Sequence, residues 1–292
     1  MIGGTLGGLA VGDAAPVRVM GVLNVSPESF YQGSVAADAD DLARRAERMA
    51  AEGADLLDVG AMSTAPFLEA AIAAEEEADR LARAIAVVRR AVALPISVDT
   101  QRALPARVAL EAGARIVNDV SGLRDDPGLA ALVAAAGADL VVAARDLPPG
   151  RRPPLGRVVA RLRSSLGRAA GAGIDLERVA VDPGIGFTTR AELPAGAWNL
   201  VLLRQLAGLR RLGRPVLVGV SRKRFIGTIL GGRAPEERLV GSLAAAAVAV
   251  FNGAHVVRTH DVGPTLDAVR IASAIRVAGG WPTSEHDQPI SE

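Results

Sequence analysis

The chain has 292 residues, 50% of them hydrophobic, so it can bury a sizeable core as one large domain or two ordinary ones, and general disorder is excluded. Its 33 basic and 32 acidic residues leave a formal charge of +1, too little for a bulk field that would draw it to nucleic acid or a membrane surface. Without cysteine there is no disulfide framework, thiolate metal site or thiol nucleophile, a composition that suits the reducing cytoplasm.

Residues 1–15, MIGGTLGGLAVGDAA, lack the basic start and long apolar run of a secretion signal and are expected to be an N-terminal tail. Beyond them, short runs of branched apolar residues alternate with alanine-, leucine- and arginine-rich stretches of helical period. The strand expectations are 17–23, 55–59, 95–99, 115–119, 139–144, 178–182, 215–220 and 255–258. Helices are expected near 38–52, 75–92, 102–112, 127–136, 156–172, 197–211, 235–252 and 262–277. The apolar run from 241 is too short and alanine-rich for a membrane span and reads as a helix entering a strand. Eight β-then-α units predict an α/β fold, a (β/α)8 TIM barrel over residues 16–278. The polar stretch GGWPTSEHDQPISE, 279–292, reads as a C-terminal tail. Three junctions, EGADLLDV, EAGARIVND and AAGADLVV, place Gly-Ala before a strand, where glycine can end the preceding helix in a left-handed conformation.

In such a barrel the C-terminal strand ends form the site. Those ends carry Asn24, Asp58, Asp99 with Thr100, Asn118 with Asp119, Arg145, Asp182, Ser221 to Lys223, and Arg258 with His260. Several have a plainer reading. Asp99 could cap the helix near 102, Asn118 and Asp119 could be turn residues, Asp182 could serve the turn DPGIGF, and Lys223 could belong to a solvated run SRKR. His255, inside an apolar strand, reads as a satisfied core histidine. Together the residues suit one kind of ligand. Carboxylates accept from a ring N–H and exocyclic amine, and an asparagine amide can give and take along a heterocycle edge. Arg258, His260 and Asn24, at neighbouring strands, suit a phosphate.

The segments MGVLNVSPESF, GADLLDVGAMST, ISVDT, ARIVNDVSG, VDPGIGF, PVLVGVSRKRFIG and VVRTHDV, collinear from about residue 17 to 275, resemble the dihydropteroate synthase family. The resemblance implies a transferase of folate synthesis that joins 6-hydroxymethyl-7,8-dihydropterin diphosphate to para-aminobenzoate and releases diphosphate. It implies catalytic roles for Lys223, Asp99 and Arg258. The pterin ring would be held by Asp99, Asn118, Asp182 and Lys223, with Thr64, Phe187 and Ser221 also in the substrate site. Asn24, Arg258 and His260 would hold the diphosphate, with Mg2+ as cofactor ligated near Asn24, and the enzyme would be a homodimer through helices late in the barrel. Asp58 would belong to the pterin-side network or bond backbone amides of the next loop.

The departures cluster in loops. SFYQGS stands where the family has SFSDGG, so Tyr31 and Gln32 replace a serine and an acid; GAMSTAPF stands for GGESTRPG, with Met62 for glutamate and Ala65 for arginine. VVAARDLPPG replaces a Met-His-Met segment, and Arg224 follows the lysine. Arg145, Arg222 or Arg224 could supply the charge missing at 65. A larger arylamine acceptor carrying a phosphate and a catalytically impaired pterin-binding paralogue are alternatives.

Overall fold

A computed structural model describes residues 1–26, 35–62, 72–145, 147, 153–187 and 197–278. Thr64, Ala65, Tyr31, Gln32 and the stretch 279–292 therefore lie outside the described residues.

The molecule opens with a hairpin, β1 (Gly3–Leu6) and β2 (Leu9–Gly12), paired antiparallel. Eight barrel strands follow: β3 (Arg18–Asn24), β4 (Leu56–Gly60), β5 (Ile96–Asp99), β6 (Ile116–Asp119), β7 (Asp139–Ala143), β8 (Val179–Asp182), β9 (Leu217–Gly219) and β10 (Val256–Thr259). They pair in parallel in the order β8-β7-β6-β5-β4-β3-β10-β9. A parallel bridge between Val181 and Val216, with the Val181 amide donating to the Pro215 carbonyl at 2.9 Å, brings β8 to the approach of β9 and closes the ring. The strands are continuous apolar runs because both their faces are covered, by helices outside and by side chains within.

Helices α1 (Ala39–Ala51), α2 (Ala74–Ala91), α3 (Ala103–Ala112), α4 (Pro127–Ala136), α5 (Pro154–Gly171), α6 (Ala197–Arg204), α7 (Arg224–Ile229), α8 (Leu239–Phe251) and α9 (Val262–Val277) complete the units. In α2, Leu81, Ile85 and Val88 make the buried stripe, while Glu75 to Glu77 open the helix and Arg89 and Arg90 close it, each favourable to the helix dipole. The glycine device holds, with Gly53, Gly113 and Gly137 all at positive φ after α1, α3 and α4. Two expected helices are subdivided. The 197–211 stretch is α6 followed by a 3-10 turn, Leu206–Leu212, and 235–252 begins with a 3-10 turn, Pro235–Arg238. The short α7 was hidden inside the strand-end motif.

The largest correction concerns residues 1–15, which are no tail. Leu6 and Val11 from the hairpin join Met20, Leu56, Ile116, Val141, Ala180, Leu217 and Val256, from seven barrel strands, in one apolar cluster that stops the N-terminal end of the barrel. Polar clamps hold the plug. The Gly7 amide donates to Asp139 at 2.6 Å, and Arg178 Nε donates to the same carboxylate at 2.6 Å. Asp13 accepts from the Ile2 amide and from both terminal nitrogens of Arg210, at 2.7, 2.7 and 2.8 Å. His255 is the satisfied core histidine expected, its Nδ1 accepting from the Val216 amide at 3.0 Å and its Nε2 lying 3.3 Å from Asp13.

Candidate active site

The opposite, C-terminal end of the barrel collects charge. Asp58, fully buried at the end of β4, has a partner 200 residues away: Arg258 Nε donates to its Oδ2 at 2.6 Å, and Asn118 Nδ2 donates to the same oxygen at 3.1 Å. Arg258 also donates to Asp99 Oδ2 at 2.8 Å, so β4, β5, β6 and β10 are tied together at their ends by one guanidinium and one amide. The other oxygens, Asp58 Oδ1 and Asp99 Oδ1, are buried and have no hydrogen-bond partner among the described residues. A buried carboxylate oxygen without a donor is costly, and two of them on adjacent strands at one barrel end suit a ligand that donates.

The plainer readings separate cleanly. Asp99 caps nothing: α3 begins after Arg102, and the Ala103 amide is taken by Asp126 Oδ2 at 2.7 Å. Asp119 is the turn residue of its pair, accepting from the Ser121 and Leu123 amides, while Asn118 turns to Asp58. Asp182 does serve its turn, accepting from the Gly184 amide at 2.7 Å. Lys223 is no solvated charge. Its ammonium lies 4.5 Å from the centre of the Phe187 ring, and its methylenes run along Gly186, where any Cβ would meet Lys223 Cδ at 2.8 Å. At the neighbouring strand end, Ser221 Oγ and His260 Nδ1 are 3.0 Å apart, and the His260 amide donates to the same hydroxyl oxygen at 3.2 Å. Asn24 ends β3 close by, its Oδ1 and Asp99 both lying beside Gly60.

Crowding displaces the titration of these groups. Burial raises the Asp99 carboxyl to about 7, with Arg258 opposing the rise and Asp58 adding to it. Asp182 is raised by burial against its Gly184 hydrogen bond and Lys223. Lys223 is lowered to about 8 by burial and by the charge of Arg258, with Asp182 and Asp99 pulling the other way. His260 is pushed down to about 3 by burial and by Arg258, Lys223 and Arg222, so it is neutral at pH 7 before any anion arrives. Opposite shifts of acids and bases in one cluster are characteristic of functional sites.

The arginines weighed as substitutes for position 65 fare differently. Arg222 is buried at positive φ, paired through two nitrogens with Asp261 at 2.7 and 2.9 Å and donating to the Pro235 and Glu236 carbonyls, so it is committed to structure. Arg145 donates to Gln101 Oε1 at 2.9 Å and to Asp125 Oδ2 at 3.1 Å, lacing together the turns after β5, β6 and β7. Arg224 is exposed at the start of α7. Met62 is half-buried at the end of its described segment. The sequence carried no signal for the Arg258 pairs, since nothing in spacing links residues 200 positions apart. Nor did it mark Glu77 and Arg102, described below, among ordinary helix-start charges.

No group of three or more histidine, aspartate or glutamate side chains among the described residues could hold a metal by itself. No helix among them is long and apolar enough to cross a membrane.

Residues 20–260 match the family model described as pterin binding enzyme. The chain is 41% identical over 280 residues to the dihydropteroate synthase of Mycobacterium leprae, covering 91% of this chain and 95% of that protein. It superposes on a dihydropteroate synthase from Coxiella burnetii in complex with pteroic acid with a TM-score of 0.83, 35% identity, and coverage of 94% of this chain and 99% of that one. A dihydropteroate synthase from Xanthomonas albilineans in complex with 7,8-dihydropteroate gives 0.80, 35%, 94% and 99%.

Proposed function

Because this chain belongs to the pterin-binding enzyme family, among the dihydropteroate synthases, we propose that its mouth condenses 6-hydroxymethyl-7,8-dihydropterin diphosphate with para-aminobenzoate in folate synthesis. The observation that carries this reading is the pair of donor-seeking oxygens, Asp58 Oδ1 and Asp99 Oδ1, set beside Asn118, Asp182 and Lys223. A pterin ring presents N–H and exocyclic amine donors on one edge and acceptors on the other. The carboxylates take the donors; Asn118 and Lys223 serve the acceptors. Phe187, which flanks Lys223, provides an apolar wall.

In the reaction the bond between the pterin methylene carbon and the diphosphate oxygen breaks, the amine nitrogen bonds to that carbon, and one amine proton is lost. Charge therefore grows in two places. The leaving diphosphate gains negative charge next to Arg258 and His260, while the pterin side becomes cationic above Asp99, Asp182 and Asp58, so preorganised charges of both signs face the separating pair. His260, neutral in the free site, gains basicity as an anion enters and can then add charge to the phosphate side. No covalent nucleophile is needed.

For Mg2+, Asn24 offers one amide oxygen, with Asp99 nearby and, among the described residues, no closed ligand cage. That fits an ion which keeps several waters and is held largely by substrate phosphates. When bound it would neutralise charge on the leaving diphosphate. Thr64 and Ser221 are assigned to the substrate site by position in the family motifs. The commitment of Arg222 to Asp261 weakens the reading of a larger, phosphate-bearing amine, because one of the two arginines invoked for it is already used.

We also propose a homodimer working in the cytoplasm. Val240, Val248 and Phe251 of α8 and Ile271, Ile275 and Val277 of α9 are exposed, and between α6, α7 and α8 lies an apolar groove of about 440 Å³. A second copy would cover this face. Light scattering should give twice the chain mass, and Ile275→Glu should reduce it.

The deciding assay is coupled diphosphate release from pterin diphosphate, Mg2+ and para-aminobenzoate, with 7,8-dihydropteroate formed in equal amount. Binding of pterin diphosphate without release would identify the impaired paralogue instead.

A further inference from the structure

Glu77 has no exposed surface and takes no part in the chemistry above. It sits in the first turn of α2, behind the end of β5. Thr100, the residue after Asp99, donates its hydroxyl proton to Glu77 Oε1 at 2.6 Å, and Arg102 Nη1 donates to Oε2 at 3.2 Å. The Thr100 oxygen in turn accepts the Arg102 amide at 3.3 Å. Both neighbours therefore donate, which opposes the rise that burial imposes on the Glu77 pKa.

Two further bonds extend the node. Arg102 Nη1 donates to the Ile72 carbonyl at 2.8 Å, and the Thr100 amide donates to the Asn118 carbonyl at 3.2 Å. One buried carboxylate thus grips the turn that follows Asp99, and that turn is bonded to the strand end carrying Asn118. An isolated ion pair of this kind is weak support for stability, because desolvation offsets the attraction. Its geometric consequence is larger: Thr100 is fixed by its hydroxyl on one side and its amide on the other.

We propose that Glu77 is a positioning residue for pterin recognition, acting through Thr100 and Arg102 to fix the strand ends that carry Asp99 and Asn118. The inference rests on the pterin reading of the mouth. It is tested with four proteins beside wild type: Glu77→Gln, Thr100→Val, Thr100→Ser and the double variant Glu77→Gln/Thr100→Val. The readouts are Kd for pterin diphosphate by calorimetry, and kcat and KM for both substrates.

Glu77→Gln and Thr100→Val should each raise Kd and KM for pterin diphosphate by about tenfold, the scale of one lost hydrogen bond to a charged group. Their kcat should stay within about threefold, and KM for para-aminobenzoate should not move. Thr100→Ser, which keeps the hydroxyl, should bind like wild type, and the double variant should be no worse than Glu77→Gln because the two act as one unit. A Glu77→Gln protein that is less stable yet binds pterin diphosphate normally would overturn the proposal, as would Thr100→Val matching Thr100→Ser. If Glu77→Gln does not fold, the Thr100 pair decides alone. A wild-type protein that fails to bind pterin diphosphate would overturn the functional reading as well, so the two failures are distinguishable.

Discussion

The two ends of the barrel treat their carboxylates in opposite ways. At the floor both oxygens of buried Asp139 and of the more exposed Asp13 are used: Asp139 takes the Gly7 amide and Arg178, and Asp13 takes Ile2, Arg210 and His255. At the mouth, Asp58 and Asp99 each keep one buried oxygen with no donor among the described residues. Titration follows the same division, since the Arg210 hydrogen bonds hold Asp13 well below the usual carboxylate range while burial lifts Asp99 to about 7. A carboxylate with both oxygens satisfied closes a structure; one left half-satisfied anticipates a ligand.

The widest separation between the ends should appear in turnover. Lys223→Ala and Asp99→Ala remove groups that the proposed function aims at substrate and should each lower kcat/KM by about a hundredfold or more. Circular dichroism and the unfolding midpoint should remain near wild type. A midpoint that collapsed with activity would make these residues structural and erase the contrast. The mirror experiment is at the floor. Leu6 is fully buried in the plug, so Leu6→Ala should cost about 3 kcal/mol in urea unfolding while the kcat of the folded fraction is unchanged. Little loss of stability would return residues 1–15 to the status of a tail.

How much of this could be read from the sequence depended on the range of the interaction. The eight strands, and the polar residue closing each, follow from local apolar runs, and they fall within a residue or two of the observed elements. The hairpin was missed because Gly-rich, weakly patterned residues become strand only when Leu6 and Val11 meet seven side chains of the barrel floor, one from each of seven strands. At the site, the residue types were legible, but their pairing was not. Arg258 was expected at the phosphate; in the structure it is bonded to Asp58 and Asp99, a link across three strands that only folding creates. Arg222 looked available from its charge alone, and Asp261 occupies it.

A smaller effect should distinguish the ends by pH. Asp99 must be ionised to accept from ring donors, and its folded value of about 7 lies above the unfolded one of 3.8. Pterin diphosphate affinity should therefore fall as pH drops below 7, by up to about tenfold per unit, and level off above it. The same elevation makes Asp99 disfavour the folded state progressively as pH rises from about 4 to 7. Asp13 has the opposite sign. Its stabilisation is complete above the unfolded carboxylate value near 4 and is lost only at lower pH, so it contributes no change between pH 6 and 8. Asp99→Asn should flatten the binding profile; an unaltered profile would assign the titration to another group.

The most direct measurement applies one substitution at both ends and reads pterin diphosphate binding by calorimetry. Asp99→Asn exchanges an acceptor oxygen for a donor where the account places a ligand donor, and should weaken Kd by about thirtyfold or more. Asp139→Asn makes the same exchange beneath the barrel and should leave Kd within about twofold while lowering the unfolding midpoint. Equal losses of affinity in the two variants, or none in Asp99→Asn, would contradict the claim that the half-satisfied carboxylates of the mouth are the substrate site.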